Sequence, residues 1–154
     1  MTGRHIIAAV GGGSKQKARW IDWNRVPADW PRDGPDLVEK VISIHYDPMR
    51  KPMIALTGYN DKLRWQIATA GMQEGDLITT TTRIPTIPVK PVPGNSYPLG
   101  ALPTGTQVCL VQKYPHKPVS LMPVHPLQPD VLYFQENAFA TIQRKVNNTT
   151  ALGI

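Results

Sequence analysis

Proline decides what this chain can build. Of its 16 prolines, eleven lie between Pro85 and Pro129, and each one removes a backbone donor and fixes φ. The stretch "IPTIPVKPVPGNSYP" therefore forms neither a helix nor a central strand and is expected to run extended as a connector. A second such stretch, "PHKPVSLMPVHPLQP", follows the strand-like "TQVCLVQKY". Upstream, Pro27, Pro31, Gly34 and Pro35 make "RVPADWPRDGPDL" an irregular loop. Only short segments are left for regular structure, and short segments bounded by turn residues read as strands.

Those segments carry the period of two that strands require. Ile42, Ile44 and Tyr46 alternate along a strand from Val41 to Tyr46, which Asp47-Pro48 ends. "MIALT" and "LRWQIA" form a second pair, joined by "GYNDK", a composition that suits a hairpin loop of about four or five residues. In the latter strand Leu63, Trp65 and Ile67 are expected to face the core, and Arg64 and Gln66 the solvent. "GMQEGD" makes a turn, and the threonine-rich "LITTTT" suits a pleated surface. With a short strand at Ile6 to Val10, a five-stranded unit is within reach. "FATIQRKV" and "TALGI" flank Asn147-Asn148, residues that tolerate the left-handed backbone of a tight hairpin. No amphipathic helix, internal repeat or coiled-coil heptad stands out.

Charge narrows the choice of partner. The chain has 154 residues, enough for one domain or two small ones, and a net charge of +6 that favours polyanions. Residues 1–25 hold Arg4, Lys15, Lys17, Arg19 and Arg25 against Asp22, a net of +4 in the N-terminal arm alone. Residues 26–50 reverse the sign, and the carboxylates at 29–39 read as a solvated acidic loop. Cys109 is the single cysteine, so no intrachain disulfide or cysteine-based zinc cluster forms, and a reducing compartment is expected. No apolar run approaches the roughly 20 residues of a membrane span, and the N-terminus lacks the apolar core of a secretory signal. No membrane association is expected, and the glycosylation sequons at Asn147 and Asn148 are accidental on that reading.

The triglycine Gly11-Gly12-Gly13 invites a nucleotide reading that its neighbours deny. A Walker loop needs Gly-Lys-Ser/Thr, whereas Lys15 follows Ser14 and precedes Gln16, and the dinucleotide fingerprint needs a glycine where Gln16 stands. Two readings stay open: a solvated basic loop, or a backbone lying along phosphates that Lys15, Lys17 and Arg19 neutralise. His5, His45, His116 and His125 lack the spacing of paired metal ligands. Nothing pairs a carboxylate with a nucleophile or base, so no catalytic residue, metal, cofactor or small-molecule substrate is expected. Trp20 and Trp23 are expected to anchor the arm to its own domain, stacking on bases being the alternative.

Several segments taken together resemble the universal L-two family of the large ribosomal subunit. They are "GRHIIAAVGGGSKQKARWIDWNR", "EKVISIHYDPMRKPMIALT", "RWQIATAGMQEGDLI" and "YPLGALPTGT", in family order and at family-like spacing. "RWQIATAGMQEGD" and "YPLGALPTGT" are most similar to the animal mitochondrial branch, and "QRKVNN" resembles a strand turn of the family's second domain. The resemblance implies an all-β chain with an OB-like five-stranded barrel: residues 1–25 a basic rRNA-binding arm, 26–85 the rest of that domain, 86–105 a proline-rich connector, and 106–154 a partial SH3-like barrel. It implies a structural, non-enzymatic constituent of the mitochondrial large ribosomal subunit in the matrix. Its partners would be large-subunit rRNA and neighbouring ribosomal proteins, with roles near the peptidyl-transferase region and in subunit association. Carried over by position, the RNA contacts are Arg4, His5, Gly11, Gly12, Gly13, Ser14, Lys15, Gln16, Lys17, Arg19 and Arg25 in the arm, with Arg50 and Lys51 after "YDP". Ser14 stands where the family usually has histidine, and residues 114–138 carry prolines in place of a glycine-rich stretch. The rival reading is a free-standing OB-type binder of single-stranded nucleic acid.

Overall fold

Strands β1 (Leu37–His45), β2 (Ile54–Tyr59), β3 (Lys62–Ile67) and β4 (Leu77–Thr80) form one antiparallel sheet in the order β3-β2-β1-β4. The computed structural model describes residues 13, 17, 19–27, 29–31, 34–50, 52–112, 131–132, 139–146 and 149–153; the fifth strand expected at Ile6 to Val10 lies outside them. The β2–β3 hairpin closes with Tyr59 opposite Lys62, so its loop is two residues long, tighter than the expected four or five. Asn60 and Asp61 both take positive φ, 41° and 61°. That is the backbone of a turn whose twist matches the strands, and Asn and Asp are among the few side chains that accept it.

β1 begins upstream of the expected Val41. Leu37, Glu39 and Val41 alternate as buried residues along it, so Glu39 belongs to the sheet interior, not to a solvated acidic loop. A bulge between Val41 and Ser43 then shifts the register. It leaves Ile42 exposed and sets Ile44 against Val41, Ala55 and Ile78, which corrects the expectation that Ile42 and Ile44 share a face.

β3 also faces the other way over most of its length. Arg64 and Gln66 are buried, and Leu63 is 63% exposed. Only Ile67 of the expected inward set is fully buried; Trp65 is half-buried. The cause is that both faces of this strand are covered near its end. Ile21, Ile54 and Ile67 form an apolar cluster on one face, with Trp23, Trp65 and Leu110 packed against it. Thr57 and Glu39 lie toward the other.

Neither edge of the sheet is left bare. Along β3 the Asp22 amide donates to the Trp65 carbonyl at 2.8 Å. Along β4 the connector supplies Ser96, whose amide donates to Thr79 at 2.9 Å while Thr81 donates to Ser96 at 2.9 Å. Covering segments of this kind stop a sheet from pairing with other chains.

The C-terminal strands β5 (Gln107–Val108), β8 (Ala140–Val146) and β9 (Thr149–Gly153) make a second sheet in the order β5-β8-β9, and β6 (Val111–Gln112) pairs with β7 (Val131–Leu132). Val146 stands opposite Thr149, the register a hairpin at Asn147-Asn148 demands, although those two residues lie outside the described set. Ala140 and Ile142 are buried, as are Ala101 and Leu102 at a short 3-10 turn, Leu99–Ala101. The chain is thus nearly all-β, with sheets that do not close among the described residues, an arrangement consistent with an OB-like domain. Among those residues no helix is long and apolar enough to cross a membrane.

Candidate nucleic-acid interface

Arg64 organises the polar side of the first sheet. Its Nε donates to Glu39 Oε1 at 2.7 Å and its Nη2 to Glu39 Oε2 at 2.6 Å, a two-pronged pairing between β3 and β1. The remaining guanidinium hydrogens go to Asp22 Oδ2 at 3.1 Å, the Asn24 carbonyl at 2.7 Å and the Arg25 carbonyl at 2.8 Å. All five donors of the side chain are therefore used. Gln66 Nε2 donates to Glu39 Oε2 at 2.9 Å and to Thr57 Oγ1 at 3.2 Å, completing the carboxylate's shell. Burial works against the Arg64 charge, but its bonds to Glu39 and Asp22 win, and its pKa rises above the ordinary arginine value. A buried pair keeps its charges only when so fully bonded.

This network fixes where the basic arm leaves the sheet. Asp22 and the carbonyls of Asn24 and Arg25 are held from one face, while Ile21 and Trp23 pack on the other. Arg25 itself is half-buried. Its Nη1 donates to Gln66 Oε1 at 2.7 Å, and it has no carboxylate partner among the described residues. Burial, and then repulsion from Arg64, lowers its pKa from the ordinary value; an arginine so perturbed still carries its proton. A cation in that position gains from an anion brought to it.

Further up the arm, Arg19 Nη1 donates to the Tyr46 carbonyl at 3.1 Å, and the guanidinium lies 5.8 Å from the Trp65 ring centre. His45 meets the same ring edge-on at 5.3 Å. The "YDP" turn after β1 is tied by Asp47, fully buried, which accepts from the Met49 amide and pairs with Arg50. Arg50 Nη1 also donates to the Arg19 carbonyl at 3.3 Å. Arg19 and Arg50, 31 residues apart in sequence, are thereby brought together.

Of the other expected contacts, Gly13 and Lys17 are exposed, and Gly13 takes a φ of +63° with open space around it. Arg4, His5, Gly11, Gly12, Ser14, Lys15, Gln16 and Lys51 lie outside the described residues. The sequence reading missed Tyr46, which is exposed beside Arg19. Of the two tryptophans expected as anchors, Trp23 packs on the core, whereas Trp20 is exposed and does not, which corrects that expectation for Trp20. The signal for Trp20 was in the alternation itself: with Ile21 and Trp23 inward, a residue preceding the edge strand has no apolar surface to meet.

The fold and its basic edge are those of a β-rich domain with a cationic N-terminal arm. The family model for "Ribosomal Proteins L2, RNA binding N-terminal domain" matches residues 1–80. The large ribosomal subunit protein uL2 of Xylella fastidiosa (strain M12) is 40% identical over 116 residues, which cover 75% of this chain and 38% of that protein. The uL2 of Rhodopirellula baltica is 40% identical over 113 residues, 73% of this chain and 34% of the relative. The chain belongs to the ribosomal L2 family, and it spans just over a third of the length of these curated relatives.

Proposed function

We propose that this chain is a structural, non-catalytic constituent of the large subunit of the mitochondrial ribosome, bound to large-subunit rRNA and to neighbouring ribosomal proteins. The observation that carries the reading is the match of residues 1–80 to an RNA-binding domain model. It coincides with an arm whose cations Arg19 and Arg25 are anchored at the sheet edge without being neutralised by carboxylates among the described residues. The mitochondrial assignment rests on "RWQIATAGMQEGD" and "YPLGALPTGT", which resemble the animal mitochondrial branch; the two relatives named above are bacterial. On this reading the arm is residues 1–25 and the rest of the RNA-binding domain 26–85. Residues 86–105 are the connector and 106–154 a partial SH3-like barrel, and the chain as a whole supports the peptidyl-transferase region and subunit association. The rRNA contacts are Arg4, His5, residues 11–17, Arg19, Arg25, Arg50 and Lys51.

Phosphate contacts release counterions, so affinity for rRNA falls steeply with salt. Replacing Lys15, Lys17 and Arg19 with Ala should flatten the slope of log K against log salt by about two to three units. The assignment is tested by sedimenting detergent-lysed mitochondria through high-salt sucrose gradients and probing fractions for the chain. Migration with the large subunit is expected. Recovery at the top of the gradient as a monomer that binds any single strand would instead favour the free-standing binder.

A further inference from the structure

We propose that Trp20, Tyr46 and Met49, gathered around Arg19 and Arg50, form a stacking platform for unpaired bases of RNA. The inference rests on the RNA-binding reading above and names the part of the RNA this face takes. Trp20 is 70% exposed, Tyr46 66% and Met49 58%. The main chain that carries them is drawn together by two side-chain bonds: the Arg19 guanidinium donates to the Tyr46 carbonyl, and that of Arg50, in the same turn as Met49, donates to the Arg19 carbonyl. The two tryptophans of the arm are thus separated by role. Trp23 packs on Ile21, Ile54 and Ile67, as an anchor must, while Trp20 contributes nothing to that cluster.

Charge selects the occupant. Asp47, the carboxylate of this turn, is fully buried and committed to Arg50 and the Met49 amide. The Nε and Nη2 groups of Arg19 and Arg50 donate to no described residue, and Lys17, two residues before Arg19 in the chain, is exposed. Rings and a thioether beside two guanidinium groups, of which Arg19 has no carboxylate partner among the described residues, fit an anionic strand that also offers flat apolar faces. A duplex keeps its bases stacked on one another, so only unpaired bases can lie on these rings.

The full chain is titrated with a riboadenylate dodecamer, an abasic strand of the same length and phosphate number, and an RNA duplex, following tryptophan emission. The dodecamer is expected to quench emission and to bind about tenfold more tightly than the abasic strand. Trp20→Ala should remove most of the quenching and that tenfold advantage while leaving the salt slope unchanged, and Trp20→Phe should restore part of it. Equal binding of dodecamer and abasic strand without quenching would overturn the platform and leave the RNA reading standing, as would preference for the duplex. Failure of the unsubstituted chain to bind any of these probes or rRNA would overturn both. The comparison of base with abasic strand needs no variant, so a folding defect does not decide it.

Discussion

On one face of the four-stranded sheet the arm is held by Arg64, whose five donors all meet acceptors; on the other it is held by Ile21 and Trp23, packed on Ile54, Ile67 and Trp65. Residues 21, 22 and 23 go alternately to the two faces, as the period of an extended chain beside an edge strand requires. The apolar face gains free energy from burial with little regard to direction. The polar face costs desolvation and returns direction, because carboxylate and carbonyl acceptors fit the guanidinium fork in one arrangement only. A one-residue slip of the arm would put Asp22 among the isoleucines and Ile21 against Glu39. The two faces together therefore set the register from which Arg19, Trp20 and Arg25 project.

Breaking the polar face should have the largest effect. Arg64→Ala leaves Glu39 buried with only Gln66 and Thr57 as donors, and removal of one partner from a buried pair costs about 3–5 kcal/mol. Urea unfolding followed by tryptophan emission measures it. A midpoint near that of the unsubstituted chain would mean that the network stabilises nothing. The apolar face is probed more gently by Ile54→Val, which removes one methylene group from a fully buried position and should cost about 1 kcal/mol.

A third substitution sharpens the orientation of β3. Leu63 is next to Arg64 and apolar, yet Leu63→Ala should change stability by no more than about 0.5 kcal/mol, since its side chain is mostly in water. A loss equal to that of Arg64→Ala would return the strand to the orientation the sequence suggests.

That orientation shows where the sequence was legible and where it was not. The strands at 54–59 and 62–67, the hairpin between them and the threonine-rich β4 were readable from alternation and turn chemistry, and the pairing of β8 with β9 from Asn147-Asn148. Alternation states which residues share a face; it does not state which face is covered. In β3 hydrophobicity pointed to Leu63 and Trp65, but coverage of the other face came from Glu39, two strands away in the sheet and 25 residues away in the chain. The sign was present in "LVEKV", where Leu37, Glu39 and Val41 keep a period of two and place a carboxylate on a buried face that needs a cation. Proline punctuation was legible for the same reason it is strong: it acts through local covalent geometry. For the candidate site, the cationic arm was legible in the charge pattern, whereas its closeness to Tyr46 and Arg50 depends on long-range bonds that no local pattern encodes.

The smallest effect belongs to a pair outside both faces. Asp29, in the proline-rich loop, pairs with Lys62 at the β2–β3 turn and accepts from the Tyr59 hydroxyl at 3.1 Å. The hydrogen bond from Lys62 is the main cause that holds the Asp29 carboxyl below its ordinary value, and the same bond is the main cause that raises Lys62. The signs give two opposite limbs. A depressed carboxylate contributes stability above its unfolded pKa and loses it as pH falls through the lower folded value. A raised lysine contributes below its unfolded pKa and loses that as pH rises through the higher folded value. Between about pH 5 and 9 both are charged, so the pair is constant there, and exposure to solvent and salt keeps its contribution small. Asp29→Asn should therefore leave the urea midpoint near neutrality almost unchanged and flatten its decline below about pH 4. The same flattening in the Lys62→Met variant, without an additive effect in the double variant, would assign the acid limb to this pair. A full acid limb in Asp29→Asn would assign it instead to carboxylates of the arm and sheet.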